Sequence, residues 1–205
     1  MKDSTIINLH KALVAPLVIG LMLIYNNWSV EAFIYLALHG TYSLLWLMKQ
    51  ALYPDRRFDQ KRPLWISLGF IFVPLVGYYL APFLLISQRV TLPPVVIAFV
   101  LFLYILGIFL HYVGDAQKYY TLRYHQGLIQ EDLFRKTRNP NYLGEIMIYI
   151  SFAILSWHWL PFLILSSWVF GFFIRNMRAK DRSLARYPEF EQYREATGLL
   201  FPKVF

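Results

Sequence analysis

The chain has no cysteine among its 205 residues. This excludes a disulfide framework, a thiolate nucleophile and a cysteine-based zinc site. Acidic residues are also scarce, 12 against 20 Lys and Arg. Five scattered histidines give no metal-ligand spacing, so no metal is expected. There is no GxGxxG after a strand and no P-loop, so a nucleotide would not be held in Rossmann or Walker style. No small-x-small cleavage site follows the first apolar run, which is therefore expected to be a retained helix. No internal or inverted repeat is visible, although many transporters carry one.

What remains is apolar surface. Hydrophobic residues make up 58% of the chain and the mean hydropathy is +0.43. A soluble domain is closer to half apolar. The expectation is an all-α integral membrane protein with about six transmembrane helices and a C-terminal cytosolic helical tail. The apolar segments run near Ala12–Tyr25, Ala32–Met48, Leu64–Ile86, Pro93–Val113, Leu143–Leu155 and Leu160–Ile174. The turn "SWHWLP" joins the last two into a hairpin, and Trp28, Trp65, Trp157 and Trp159 lie at segment ends as interfacial aromatics do.

Six spans put every Lys and Arg except Arg89 on one side. The positive-inside rule then predicts both termini in the cytoplasm. This accounts for the net charge of +8 and leaves no basic surplus that calls for a nucleic-acid partner. The chain divides by pattern within one membrane domain. Residues 1–113 form a four-span part, and residues 114–205 form a part with two polar segments, the hairpin and the tail.

The segment "HYVGDAQKYYTLRYHQGLIQEDLFRKTRNPNYLGE" carries Asp115, Lys118 and Arg123 near the end of the fourth span. Its cations suit phosphates or carboxylates, or equally a juxtamembrane loop on anionic lipid. Glu145 lies a turn inside the next apolar run, where an unpaired carboxylate is costly. Either it faces a cavity together with Asn141 and Tyr142, or it sits at the interface and pairs with Arg138. His39 and Tyr42 share a face of the second span and could hold or protonate a polar substrate atom, or simply bond between helices. His111 could cap the fourth span or reach a cofactor. The tail "RNMRAKDRSLARYPEFEQYREATGLLFPKVF" is expected as two short helices split at Pro188 and closed by Gly198. It forms either a lid or an amphipathic helix on the membrane. Its apolar end should tuck back against the bundle.

"DAQKYYTLR…GLIQEDLFRKTRNPNYLGE", two apolar helices and "YPEFEQY…LLFPKVF" together resemble the C-terminal region of the steroid 5-alpha-reductase superfamily, especially its bacterial branch. The resemblance covers Gly107 to Phe205, and "RNPNYLGE" is its most specific part. It implies a multi-helix membrane reductase with NADPH in a cytosol-facing pocket. The hydride goes to a carbon–carbon double bond conjugated to a ketone in a sterol-like or isoprenoid substrate. Carried over by position, Asp115, Arg123, Asn141 and Tyr142 line the cofactor pocket, beside His111, Lys118 and Arg138. Glu145 lies beside the nicotinamide or the substrate. Arg178 matches a tail arginine near the adenine phosphate. Asp181 and Arg182 stand where the reductases usually carry a histidine pair. His39 and Tyr42 are the candidates by analogy for the substrate-polarising groups.

The Arg138-x-Pro140-x-Tyr142 turn, the hairpin and the ending "ATGLLFPKVF" are also similar to isoprenylcysteine carboxyl methyltransferases and related phospholipid methyltransferases. That likeness implies S-adenosylmethionine and methylation of a lipid-borne group. Those enzymes typically have paired acids where this chain has Asp181 and Arg182, and they generally lack an acid matching Glu145. A third possibility is a non-catalytic lipid-binding protein that keeps the fold. In every case the expected partners are membrane lipids and a lipophilic small molecule.

Overall fold

The structure is a computed structural model that describes residues 2–69 and 73–203. Among them the ordered elements are helices, with no strand longer than an isolated bridge. Four helices are long and apolar enough to cross a membrane, as befits an integral membrane protein. They are α1 (Asp3–Ile24), α2 (Val30–Leu52), α6 (Pro94–Tyr124) and the continuous run Trp159–Leu184. That run comprises α8 (Trp159–Trp168), a π-helical turn (Val169–Phe173) and α9 (Ile174–Leu184). Two further apolar helices are shorter: Gly77–Ser87, which includes α5 (Leu80–Ser87), and α7 (Pro140–Leu155).

The expected third span Leu64–Ile86 lies partly outside the described residues. Within them it is a series of short pieces, α3 (Leu64–Ser67), α4 (Val73–Val76), a 3-10 turn and α5. The other spans are longer than their apolar cores. α1 begins nine residues before Ala12, because Asp3, His10 and Lys11 are buried inside the fold and need not meet lipid. α6 runs eleven residues beyond Val113, so much of the expected polar loop is helix. It ends at Tyr124, shortly before Gly127 with φ +150°.

The chain forms two compact units. The first comprises Met1–Leu101 and Ser151–Ile164. Here α1 and α2 pack along faces repeating every three to four residues: His10, Lys11, Val14, Val18 and Met22 against Tyr35, His39, Tyr42, Ser43 and Trp46. Arg89, the isolated cation of the topology count, caps the end of α1. Its Nη2 donates to the carbonyls of Tyr25 and Asn26 at 2.9 and 3.2 Å. At the other end Asp3 pairs with Arg62 at 3.0 Å, fastening the start of α1 to the 53–62 connection.

The second unit comprises Phe102–Ile150 and Leu165–Phe205. The lower half of α6 and the start of α7 meet through glycine. A Cβ on Gly144 would lie 2.4 Å from the His111 backbone nitrogen, and one on Gly107 would lie 2.8 Å from the Gly144 carbonyl. This is the small-residue seam by which membrane helices approach closely. The tail follows the expected order, with α9, a break around Pro188 and α10 (Phe190–Ala196). Leu199 and Leu200 then pack on Tyr142, Phe173 and Met177, while Phe201 stays exposed, so the apolar ending tucks back only in part.

Candidate functional site

The glycine seam puts the first turn of α7 against α6. His111, Asp115 and Lys118 are spaced i, i+4, i+7 on α6 and share a face. Asn141 Nδ2 donates to Asp115 Oδ1 at 2.9 Å. His111 Nδ1 donates to the Asn141 carbonyl at 3.1 Å, using the second lone pair of an oxygen in the first turn of α7. His111 and Asn141 are buried and Asp115 is half-buried. A hydrogen bond to a carboxylate contributes about 1.5–3 kcal/mol, enough to fix the Asn141 rotamer. Glu145 is half-buried one turn further into α7, so the polar strip continues into the apolar part of that helix. Tyr142 turns the other way and stacks obliquely on Phe173, 5.0 Å between ring centroids.

Arg138 does something different. Its Nε contacts both Asp181 carboxylate oxygens at 3.1 Å, and its Nη2 reaches Asp181 Oδ2 at 3.0 Å. Its Nη1 donates to the Thr197 carbonyl at 2.7 Å, to Thr197 Oγ1 at 3.1 Å and to the Arg194 carbonyl at 3.2 Å. Lys180 donates to the Arg138 carbonyl at 2.7 Å and to Asn139 Oδ1 at 3.2 Å, while Asn139 Nδ2 donates to the Leu199 carbonyl at 2.8 Å. A parallel bridge joins Thr137 and Gly198. A Cβ on Gly198 would lie 1.8 Å from the Phe201 carbonyl oxygen, so the turn requires glycine. Tyr193 donates to the Phe134 carbonyl at 2.8 Å, and burial pushes its phenol up to about 12. The guanidinium thus ties the "RNPN" turn, α9 and the end of α10 together. Among the described residues Arg138 pairs with Asp181 and not with Glu145, the partner that the sequence left open.

The remaining tail and loop candidates are solvent-facing. Arg123, Arg178 and Arg182 are exposed, and Lys118 is half-buried. Arg123 rests over the Tyr124 ring at 5.8 Å.

In the first unit, His39 and Tyr42 are completely buried. The Tyr35 hydroxyl and His39 Nδ1 are 3.1 Å apart, and the His39 ring stacks on Phe152 at 4.4 Å. The rings of His39 and Tyr42 are separated by 6.4 Å between centroids. Lys11 lies over the Tyr42 ring at 4.1 Å and near the Trp46 and Tyr78 rings at 5.5 and 5.9 Å, an aromatic cage for a buried ammonium. His10 Nε2 and the Leu75 carbonyl are 3.1 Å apart, and Tyr79 donates to the His10 carbonyl at 3.1 Å. His39 Nε2 and Ser43 Oγ are buried with no hydrogen-bond partner among the described residues.

Lys11, Ser43 and Lys180 are the groups that sequence reasoning passed over. Lys11 counted only toward orientation, yet it falls on the same α1 face as Ile7, Val14 and Val18, which is the packed face. Ser43 follows Tyr35 and His39 at four-residue intervals on α2. Lys180 looked like one more charge in a basic tail.

No curated protein matches the chain. A family model does, over residues 19–197, and its description is "Protein of unknown function (DUF1295)". That interval contains α2, the polar segment between α6 and α7, the glycine seam, and the tail as far as Thr197 with the Arg138–Asp181 pair. The chain therefore belongs to this family, and through it to the steroid 5-alpha-reductase-like superfamily.

Proposed function

We propose that the protein is an NADPH-dependent membrane reductase of a carbon–carbon double bond conjugated to a ketone, in a sterol-like or isoprenoid substrate. The observation that carries this reading is the Asp115–Asn141–His111 network on the α6–α7 seam, found in a member of this superfamily. Its donor set fits a dinucleotide. A carboxylate and a carboxamide suit ribose hydroxyl and amide groups, and Lys118 offers a charge to phosphate one turn further along α6.

NADPH, when bound, supplies a hydride to the β-carbon of the conjugated system. Asn141, fixed by Asp115 and by the α7 backbone, orients the bound dinucleotide. The apolar surface of Tyr142, Phe173 and Met177 keeps water from the region that Tyr142 flanks. As the hydride arrives, negative charge moves to the ketone oxygen and a proton is required at that oxygen or at the α-carbon. Glu145 is positioned along α7 to hold that proton.

The clasp does not separate the reductase from the methyltransferase reading. Arg138, Thr197 and Gly198, which carry the resemblance to methyltransferases, are occupied in fastening the tail. Any enzyme with this tail needs them, whichever cofactor it takes. The test is calorimetric binding to the purified protein in detergent, with NADPH and S-adenosylmethionine side by side. Saturable binding of NADPH alone is expected. Binding of S-adenosylmethionine alone overturns the proposal in favour of lipid methylation, and binding of neither favours a non-catalytic lipid-binding protein.

A further inference from the structure

The inner side of α9 is committed. Met177 packs on Tyr142, and Lys180 and Asp181 are engaged with the "RNPN" turn. The outer side is uniform. Arg175, Arg178 and Arg182 follow each other at three and four residues, which places them in a stripe about 60° wide on the opposite side of the helix. All three are exposed, and none has a hydrogen bond or ion pair among the described residues. Arg186 follows at the same spacing, held by Ser183 and Tyr187. The same continuous helix, long and apolar enough in its first part to cross a membrane, has Phe172 exposed immediately before the arginines. Its outward surface therefore changes from aromatic to cationic within one turn.

We infer that the Arg175–Arg178–Arg182 stripe docks on the anionic headgroups of the bilayer that the Trp159–Leu184 helix enters. Charge complementarity and continuity with the apolar run name this occupant. A helix rising about 1.5 Å per residue carries the stripe over roughly 10 Å, which matches the reach of the surface potential at physiological salt. Arginine suits the task because its planar fork engages phosphate oxygens in pairs.

The inference goes beyond the reductase reading, and its readout needs no turnover. The full chain is reconstituted in nanodiscs of phosphatidylcholine alone, or with one third phosphatidylglycerol, and its thermal unfolding is followed. The anionic discs should raise the unfolding midpoint by on the order of 6 °C. R175Q/R178Q/R182Q should lose that rise, and R175K/R178K/R182K should keep most of it. High salt should reduce the rise in the unsubstituted protein. A rise that survives both the glutamine substitutions and high salt overturns the inference. So does a glutamine variant that keeps the rise but loses NADPH affinity, which would assign the stripe to cofactor phosphate.

Discussion

The Arg138 clasp of the second unit and the His39–Ser43 cluster of the first treat buried polar groups in opposite ways. In the second, Arg138 has all three guanidinium nitrogens engaged, and Lys180, Asn139, Thr137 and Tyr193 all donate into the same turn or tail. In the first, His39 and Ser43 are just as buried, yet His39 Nε2 and Ser43 Oγ have no partner among the described residues. A saturated network fixes one geometry, whereas an unsatisfied buried donor lowers stability and persists where something else is gained. The clasp is therefore architecture. Chemistry is better sought where a buried polar atom lacks a partner among the described residues, as at His39 and Ser43.

The sharpest way to break this contrast is Arg138→Ala. Removing one partner of a buried ion pair costs about 3–5 kcal/mol. The thermal unfolding midpoint in detergent should fall by roughly 6–15 °C. A change of a degree or less would mean that the clasp is dispensable. Next come Glu145→Gln and Asn141→Ala, which should each lower NADPH-dependent turnover by on the order of a hundredfold, about 2.7 kcal/mol, in protein that unfolds at its normal temperature. Full activity in both would reduce the α7 strip to a structural feature. Gly144→Ala inserts a methyl group against the His111 backbone and should cost about 1–3 kcal/mol, read as a lower midpoint.

Tyr193→Phe removes the bond to the Phe134 carbonyl and should cost about 1 kcal/mol. Its pH dependence is a separate signature. The folded protein holds the Tyr193 proton up to about 12, above the ordinary phenol value of 10.0. The resulting stabilisation is present in full below pH 10.0 and is lost as pH rises toward about 12. The phenylalanine variant should lose less stability over that interval, as measured by unfolding at fixed temperature. The smallest effect is predicted for Ser43→Ala, which deletes an unpartnered hydroxyl. It should leave stability unchanged or raise it by a few tenths of a kcal/mol. A loss of more than about 1 kcal/mol would mean that the hydroxyl has a partner after all, and would bring the two units closer in design.

Much of this was legible in the chain. The helical class, the tail helices split at Pro188 and the return of Leu199 and Leu200 follow from local pattern, whereas α10 ends at an extended Thr197 and Gly198 is required by the nearby Phe201 carbonyl rather than as a helix cap. The joint use of Asn141 and Asp115 was legible only through the family resemblance, since they stand 26 residues apart. Helix limits were less legible. Hydropathy marks where a helix can tolerate lipid, while α1 and α6 continue through polar residues that other helices cover. The Arg138–Asp181 pair was not legible either, because a separation of 43 residues leaves no trace in spacing.

Composition and order alone determined that this chain forms membrane-length helices and gathers its cations in a few segments, because burial of apolar surface and helix periodicity act locally. Tertiary structure decided which cations are spent inside and which remain available. Lys11 went into an aromatic cage, Arg138 and Lys180 into the clasp, and Arg175, Arg178 and Arg182 stayed exposed. These residues carry the same charge in the sequence. Only packing fixes the partners that each one meets, and so the work it can do.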